Sequence, residues 1–207
     1  NRHCKVHSDT REAKLIVKIL AVGCSFMCRH DHVIPQCEVV AKHLDADIDN
    51  RSKAGNGNTH IVYNTIDAML ENTYDLVLIG WSNPLRWDYI TAPNKWFSFK
   101  VSNNLSTVKR GIDVEGSMYR HWSSKVILLT NYFNSKGIPF IMWNSLDCWH
   151  YEDTMLNKEL KNIKEFVDIT NSQFTDLRSK EQWFSHDDHH PNQQSQDEWA
   201  DKILEKV

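Results

Sequence analysis

The sequence lacks several features that would point to a partner or a compartment. Lys and Arg together number 24 against 27 Asp and Glu, for a net charge of −3. With no basic excess, nucleic acid is excluded as the main partner, because phosphate binding needs a positive surface. No apolar run approaches the roughly 20 residues of a membrane span. Five cysteines are present, at Cys4, Cys24, Cys28, Cys37 and Cys148. The number is odd and the spacings fit no disulfide framework. Cys24 and Cys28 have no second cysteine pair to complete a metal site, so the thiols read as reduced, in a cytoplasmic protein. No repeat, low-complexity tract or domain linker interrupts the chain. Residues 1–14 are polar and read as a flexible lead-in, not a signal peptide. The opening residue is Asn1, not Met, which suggests an upstream segment that has been removed.

What is present fits one domain over residues 15–207. About 41% of the 207 residues are hydrophobic, enough for a sizeable core. Three near-continuous apolar runs, LIVKILAV (15–22), DLVLIG (75–80) and IPFIMW (138–143), read as strands buried on both faces. A weaker strand is expected over 47–53. Apolar residues at helical spacing predict helices over 35–46, 58–72, a segment holding Met118, Trp122, Val126, Leu129 and Phe133, then 155–167 and 191–207. Gly137 should end the third of these. Strands alternating with helices imply a parallel sheet with helices on both faces. Ligands bind beyond the carboxyl ends of such strands. Ser25, Asn83 and Asn144 each follow a predicted strand and should share that edge.

Residues 84–121 form an aromatic-rich insertion near this edge. Such a long segment is usually functional or a subdomain. Trp87, Trp96, Phe97 and Phe99, with Asn94, Asn103 and Asn104, suggest a cleft wall for a sugar ring or an acyl chain; the mixture of aromatics and amides favours a carbohydrate-linked ester such as an acetyl ester. The alternative is a satellite hydrophobic cluster. Arg86 and Asp88 either line the cleft or pair with each other at the loop start.

The chemistry gathers at the two ends of the domain. Near the end stands Ser185-His186-Asp187-Asp188-His189-His190-Pro191. Asp187 and His190, three residues apart in one tight turn, can meet as carboxylate and imidazole, the orienting pair of a serine hydrolase. The same cluster could serve as a polar helix cap or as a metal site, with His186 and His189 as further ligands. Near the start, Gly23-Cys24-Ser25 places a serine just past the first strand. Taken alone, it reads as an ordinary strand-to-helix turn with Ser25 capping the helix. Met27 excludes the Gly-X-Ser-X-Gly nucleophile elbow. Cys24 should point away from Ser25 if strand geometry continues.

Taken in order, these blocks resemble the SGNH (GDSL-type) hydrolase family. Gly23-Cys24-Ser25 corresponds to its Gly-Asp-Ser block, and Gly57-Asn58-Thr59 to its second block, with Gly55 as a competing choice. Trp81-Ser82-Asn83 corresponds to its Gly-X-Asn block, and Asp187 through Pro191 to its Asp-X-X-His-Pro. Two departures stand out. Cys24 replaces an aspartate that does not attack. Trp81 replaces a glycine, and its bulk should narrow the site or shift Asn83. The resemblance implies a three-layer α/β/α sandwich of flavodoxin-like type. It further implies a serine esterase with Ser25, Asp187 and His190 as triad, and Gly57 and Asn83 in the oxyanion hole. Trp81, Arg86 and Trp87 would touch substrate, and no metal or cofactor is called for. Partners would be a small-molecule or carbohydrate ester. The rival readings are an SGNH-fold binding protein with weakened catalysis and a metal-dependent phosphoesterase built on the His/Asp cluster.

Overall fold

The computed structural model describes residues 17–92, 95–100, 114–148 and 155–207. The expected lead-in, the start of the first apolar run, and Asn94, Asn103 and Asn104 lie outside these residues. In chain order the elements are β1 (Lys18–Gly23), α1 (Gln36–His43), β2 (Asp47–Asn50), α2 (Asn58–Glu71), β3 (Leu76–Trp81) and β4 (Arg86–Ala92). There follow β5 (Lys95–Lys100), α3 (Val114–Lys136), β6 (Phe140–Asn144), α4 (Met155–Lys161), α5 (Gln173–Lys180) and α6 (Gln193–Leu204).

The apolar runs do form a parallel sheet, in the order β2-β1-β3-β6. Side chains alternate across it, as a pleated strand requires. Leu20, Val22, Val77, Ile79 and Met142 enter one core with residues of α2, α3 and α4. Ile19, Ala21, Leu78, Ile141 and Trp143 enter the other with residues of α1 and α6. The result is the expected α/β/α sandwich. From β1 the chain passes through α1 to β2 on one side, then through α2 to β3 on the other. The direction of winding therefore reverses between β1 and β3, which opens a crevice at their carboxyl ends.

Gly23 is required where β1 leaves the sheet, because an added Cβ would collide with the Met27 side chain and lie 3.0 Å from the Gly80 carbonyl oxygen. The turn that follows, Ser25–Met27, is a single turn of 3-10 helix. Gly137, at φ 64°, ends α3 in the left-handed conformation that glycine adopts without strain.

Two expectations need correction. The helix predicted over 155–167 stops at Lys161. Phe166 instead bridges Met142 in parallel, with Met142 N–H donating to the Glu165 carbonyl and Val167 N–H donating to the Met142 carbonyl, both at 2.9 Å. The open edge of β6 offers these groups a partner that a further helical turn would leave unused. The strand expected over 47–53 ends at Asn50. Within 84–121, β4 and β5 form an antiparallel hairpin. Its alternation is inverted: Trp87 and Tyr89 are exposed while the intervening Asp88 is buried.

Trp81 is also corrected. It is 0% exposed and belongs to the core beneath α2 and α3, on the same face of β3 as Val77 and Ile79. Strand pleating aims it away from the opposite face and into the sandwich, so it neither touches the crevice nor narrows it. Removing so large a buried side chain leaves a cavity that cannot close without wholesale repacking. Trp81→Gly, the family residue, is therefore expected to cost about 3–5 kcal/mol, read as a lowered urea midpoint with unchanged slope.

Candidate functional site

Ser25 is half-buried at the carboxyl end of β1. Cys24, beside it, is 0% exposed. Burial pushes the Cys24 thiol pKa up, so the thiolate is disfavoured and this side chain is no competing nucleophile. The turn is tied to the rest of the molecule through backbone groups: Gln196 Nε2 donates to the Phe26 carbonyl at 3.1 Å, and Asn50 Nδ2 to the Met27 carbonyl at 2.9 Å.

The other end arrives as a short antiparallel turn. Trp183 bridges Pro191, Phe184 N–H donates to the His190 carbonyl at 2.8 Å, and Ser185 and Asp188 pair through their backbones. This register decides which aspartate meets the histidine. Asp187 falls at the tip, with its side chain 99% exposed beside an equally exposed His186. Asp188 falls on the inner flank, with Oδ1 2.5 Å from His190 Nδ1 and 3.0 Å from the His190 backbone nitrogen. The Asp-X-X-His expectation is thus displaced by one residue: the structure brings His190 to Asp188, not to Asp187.

Asp188 has a second partner that sequence reasoning missed. His30 Nε2 lies 3.1 Å from Asp188 Oδ2, and the His30 and His190 rings stack 5.2 Å apart. His30 is held by a tight turn in which its backbone pairs with Val33 around Asp31, at φ 47°. No local signal marks this histidine, because its partner lies 158 residues away in sequence. The hydrogen bond from His190, with its backbone and charge contributions, holds the Asp188 carboxyl below the usual carboxylate range. An ionised carboxylate only accepts, so Nδ1 of His190 carries a proton, and in the neutral imidazole Nε2 is then the lone pair. That is the tautomer a general base needs. Phe26 lies against His190 at 5.8 Å between ring centroids, so the imidazole sits beside the Ser25–Met27 turn. Ser25 and His190 are not hydrogen-bonded in this structure. His189 turns outward and packs on Trp183. Ligand atoms of His30, Asp188 and His190 all lie within 4.8 Å of one another, the set among the described residues that could hold a metal ion.

The expected oxyanion donors are less free. Gly57 N–H donates to Asp88 Oδ1 at 3.0 Å, while Thr59 N–H and His60 N–H donate to Asp88 Oδ2 at 2.9 and 3.0 Å. Ser98 Oγ also donates to this carboxylate. Asp88 therefore caps α2 from a strand thirty residues away, where a negative charge meets the orphan N–H groups and the positive end of the helix. Gly57 has to be glycine, since a Cβ would fall 2.6 Å from Asp88 Oδ2. Its N–H is committed to this cap, so the oxyanion role expected of Gly57 is not what the structure shows. Asn83 follows β3 as expected. Its Oδ1 accepts from Leu85 N–H at 2.8 Å and its Nδ2 reaches the Asp147 carbonyl at 3.3 Å, which leaves one Nδ2 hydrogen uncommitted.

The hairpin covers a cavity of about 280 Å³ bounded by Asn58, Thr59, Arg86, Trp87, Trp122 and Lys125, among others. Of the substrate contacts expected, Arg86 and Trp87 line it. Arg86 is not paired with Asp88; its Nη1 donates to the Asn56 carbonyl at 3.3 Å. Trp96 belongs to the docking of the hairpin, stacked on His60 of α2 at 4.4 Å between centroids.

No protein-family model and no curated protein sequence matches the chain. Solved structures do. The psychrotrophic esterase EstA from Pseudoalteromonas sp. superposes with a TM-score of 0.53 at 11% identity, over 91% of this chain and 95% of its own. The acetyl xylan esterase AlAXEase gives 0.52 at 13%, over 92% and 100%. A protein of Slackia heliotrinireducens provisionally assigned to the SGNH hydrolases gives 0.52 at 12%, over 92% and 98%. The chain has the SGNH-hydrolase fold. Within that fold, the Asp88 cap is a local arrangement that can be tested directly. Asp88→Ala leaves three N–H groups at the start of α2 without their acceptor, and is expected to cost about 2 kcal/mol or more. Differential scanning calorimetry reads this as a lowered Tm.

Proposed function

We propose that the chain is a serine esterase in which Ser25 attacks an ester carbonyl, His190 takes its proton, and Asp188 orients His190. The observation that carries this reading is the 2.5 Å contact of Asp188 with His190 Nδ1, beside the turn that holds Ser25. It leaves the His190 Nε2 lone pair for the serine proton. Attack would form a tetrahedral intermediate, His190 would protonate the departing alcohol, and water activated by the same base would release the acid. Backbone N–H of Ser25 and the remaining Asn83 Nδ2 hydrogen would steady the oxyanion. Structural relatives named as esterases, one acting on acetyl xylan, support an ester and a carbohydrate-linked acetyl group among the candidates.

One observation favours a second reading, a protein of this fold that binds esters and turns them over slowly. Gly57 N–H, a donor the family resemblance assigns to the oxyanion, is committed to Asp88. A missing oxyanion donor costs about 100- to 1,000-fold in kcat. Labelling with a fluorophosphonate, followed by peptide mass spectrometry, separates the two. An active esterase should be modified on Ser25 within minutes and stoichiometrically, whereas a slow binder should remain largely unlabelled.

The two aspartates provide the sharper test. With an aryl acetate, Ser25→Ala and His190→Ala should each abolish measurable turnover, and the double variant should be no worse than either. Asp188→Asn should reduce kcat by about 10⁴-fold, since it removes the acceptor that fixes the tautomer. Asp187→Asn should stay within about twofold of wild type. A protein in which Asp187→Asn inactivates and Asp188→Asn does not would place the orienting carboxylate at the tip of the turn, against this proposal.

A further inference from the structure

The cavity under the hairpin is lined by cations. Among the described residues, neither Lys125, half-buried on α3, nor Arg86 on β4 makes an ion pair. His121 lies on the same wall, its ring edge-on to Trp87. The one carboxylate in the lining is Asp88, and its two oxygens already accept from three backbone N–H groups and Ser98. Burial pushes the Lys125 pKa down, with Asp88 only partly opposing it. A half-buried ammonium whose desolvation is only partly offset by a neighbouring carboxylate is stabilised by an anionic ligand.

One wall of the cavity is tied by hydrogen bonds to the end of β1. Arg86 Nη1 donates to the Asn56 carbonyl, and Asn56 Nδ2 donates to the Gly23 carbonyl at 3.1 Å, two residues before Ser25. Two hydrogen bonds thus link the guanidinium to the turn that bears Ser25. Pro84, Trp87, Met118 and Trp122 give the wall apolar surface, beside the polar Asn58 and Thr59. At about 280 Å³ the space suits one ring better than a long chain.

We propose that this cavity is a recognition subsite for a carboxylate carried on a sugar ring, so that the preferred substrate is an O-acetylated acidic sugar. Arg86 and Lys125 hold the carboxylate, and Trp87 offers its indole to the ring. This inference rests on the esterase reading for the acetyl group alone; recognition of the acidic sugar stands apart from it.

The experiment has two arms. In the first, kcat/KM is measured for an O-acetylated methyl glucuronide and for the corresponding O-acetylated methyl glucoside. The wild type should prefer the acidic ester by about tenfold or more, the scale of one charge-assisted hydrogen bond. Lys125→Met, close in shape to lysine, and Arg86→Gln should each erase that preference. In the second arm, sodium glucuronate is titrated at low salt while tryptophan fluorescence is followed, with glucose as the neutral control. Glucuronate should bind and glucose should not, and Lys125→Met should weaken glucuronate binding about tenfold. Thermal melting of both variants checks that they fold. Glucuronate binding that depends on Lys125, in a protein that hydrolyses neither ester, would sustain the subsite and refute the esterase. Equal hydrolysis of both esters with no glucuronate binding would overturn the subsite and leave the esterase standing.

Discussion

One carboxylate organises the carboxyl edge of the sheet. Asp88 projects from β4 into the start of α2 and accepts from the N–H groups of Gly57, Thr59 and His60. A helix terminus buried without a cap leaves its first N–H groups unsatisfied, and a charge buried without donors is more costly still. Each therefore needs the other. Their union fastens the hairpin to the sandwich, where Trp96 then stacks on His60. The same contact explains why residue 57 is glycine, why its N–H is spoken for, and why a cavity exists between the hairpin and α3. Without Asp88 the hairpin would lose its three hydrogen bonds to the start of α2.

The sheet was legible because its strands are buried on both faces. Runs such as DLVLIG admit few other readings once helical spacing flanks them. The hairpin was not legible, for a physical reason specific to these residues. A strand is recognised by apolar residues facing the core, yet β4 buries Asp88 and exposes Trp87 and Tyr89. Its binding energy comes from hydrogen bonds to a helix end that no periodicity marks. The segment after α4 misled in the opposite sense. Ile163, Phe166 and Val167 continue the helical stripe in sequence, but the edge of β6 captures Phe166 in an extended pairing. Trp81 shows how a motif can be right in position and wrong in role. It follows the pleat of β3 into the core, so comparison with a family glycine says nothing about access to the crevice.

The carboxylate–imidazole contact falls one residue from where spacing put it: His190 meets Asp188, not Asp187. Two adjacent aspartates precede His190, and spacing alone makes Asp187 the better choice. What decides between them is the pairing of Phe184 with His190, which fixes the tip of the turn and sends Asp187 into solvent. A one-residue shift in a tight turn reverses inward and outward, as a register slip does in a strand. His30 was invisible for a different reason. Its partner arrives from the far end of the chain, and only the meeting of the first and last segments at one sheet edge brings them together.

That meeting has a consequence for how the two halves of the site are built. At the His190 end, Asp188 lies between two imidazoles and is anchored by the His190 backbone N–H as well. A carboxylate with this many donors stays ionised and cannot rotate without losing several of them, so the orientation of His190 is set before any substrate arrives. On the acceptor side, the donors have structural duties. Gly57 N–H belongs to the α2 cap, and Asn83 bridges its own loop to the Asp147 carbonyl. In the esterase reading, preorganisation is thus unequal: the proton acceptor is fixed, while stabilisation of the developing oxyanion falls to the Ser25 N–H and one amide hydrogen of Asn83. Such a site gains most from a substrate whose other end is firmly held, because binding energy realised away from the carbonyl can position it against the few donors that remain.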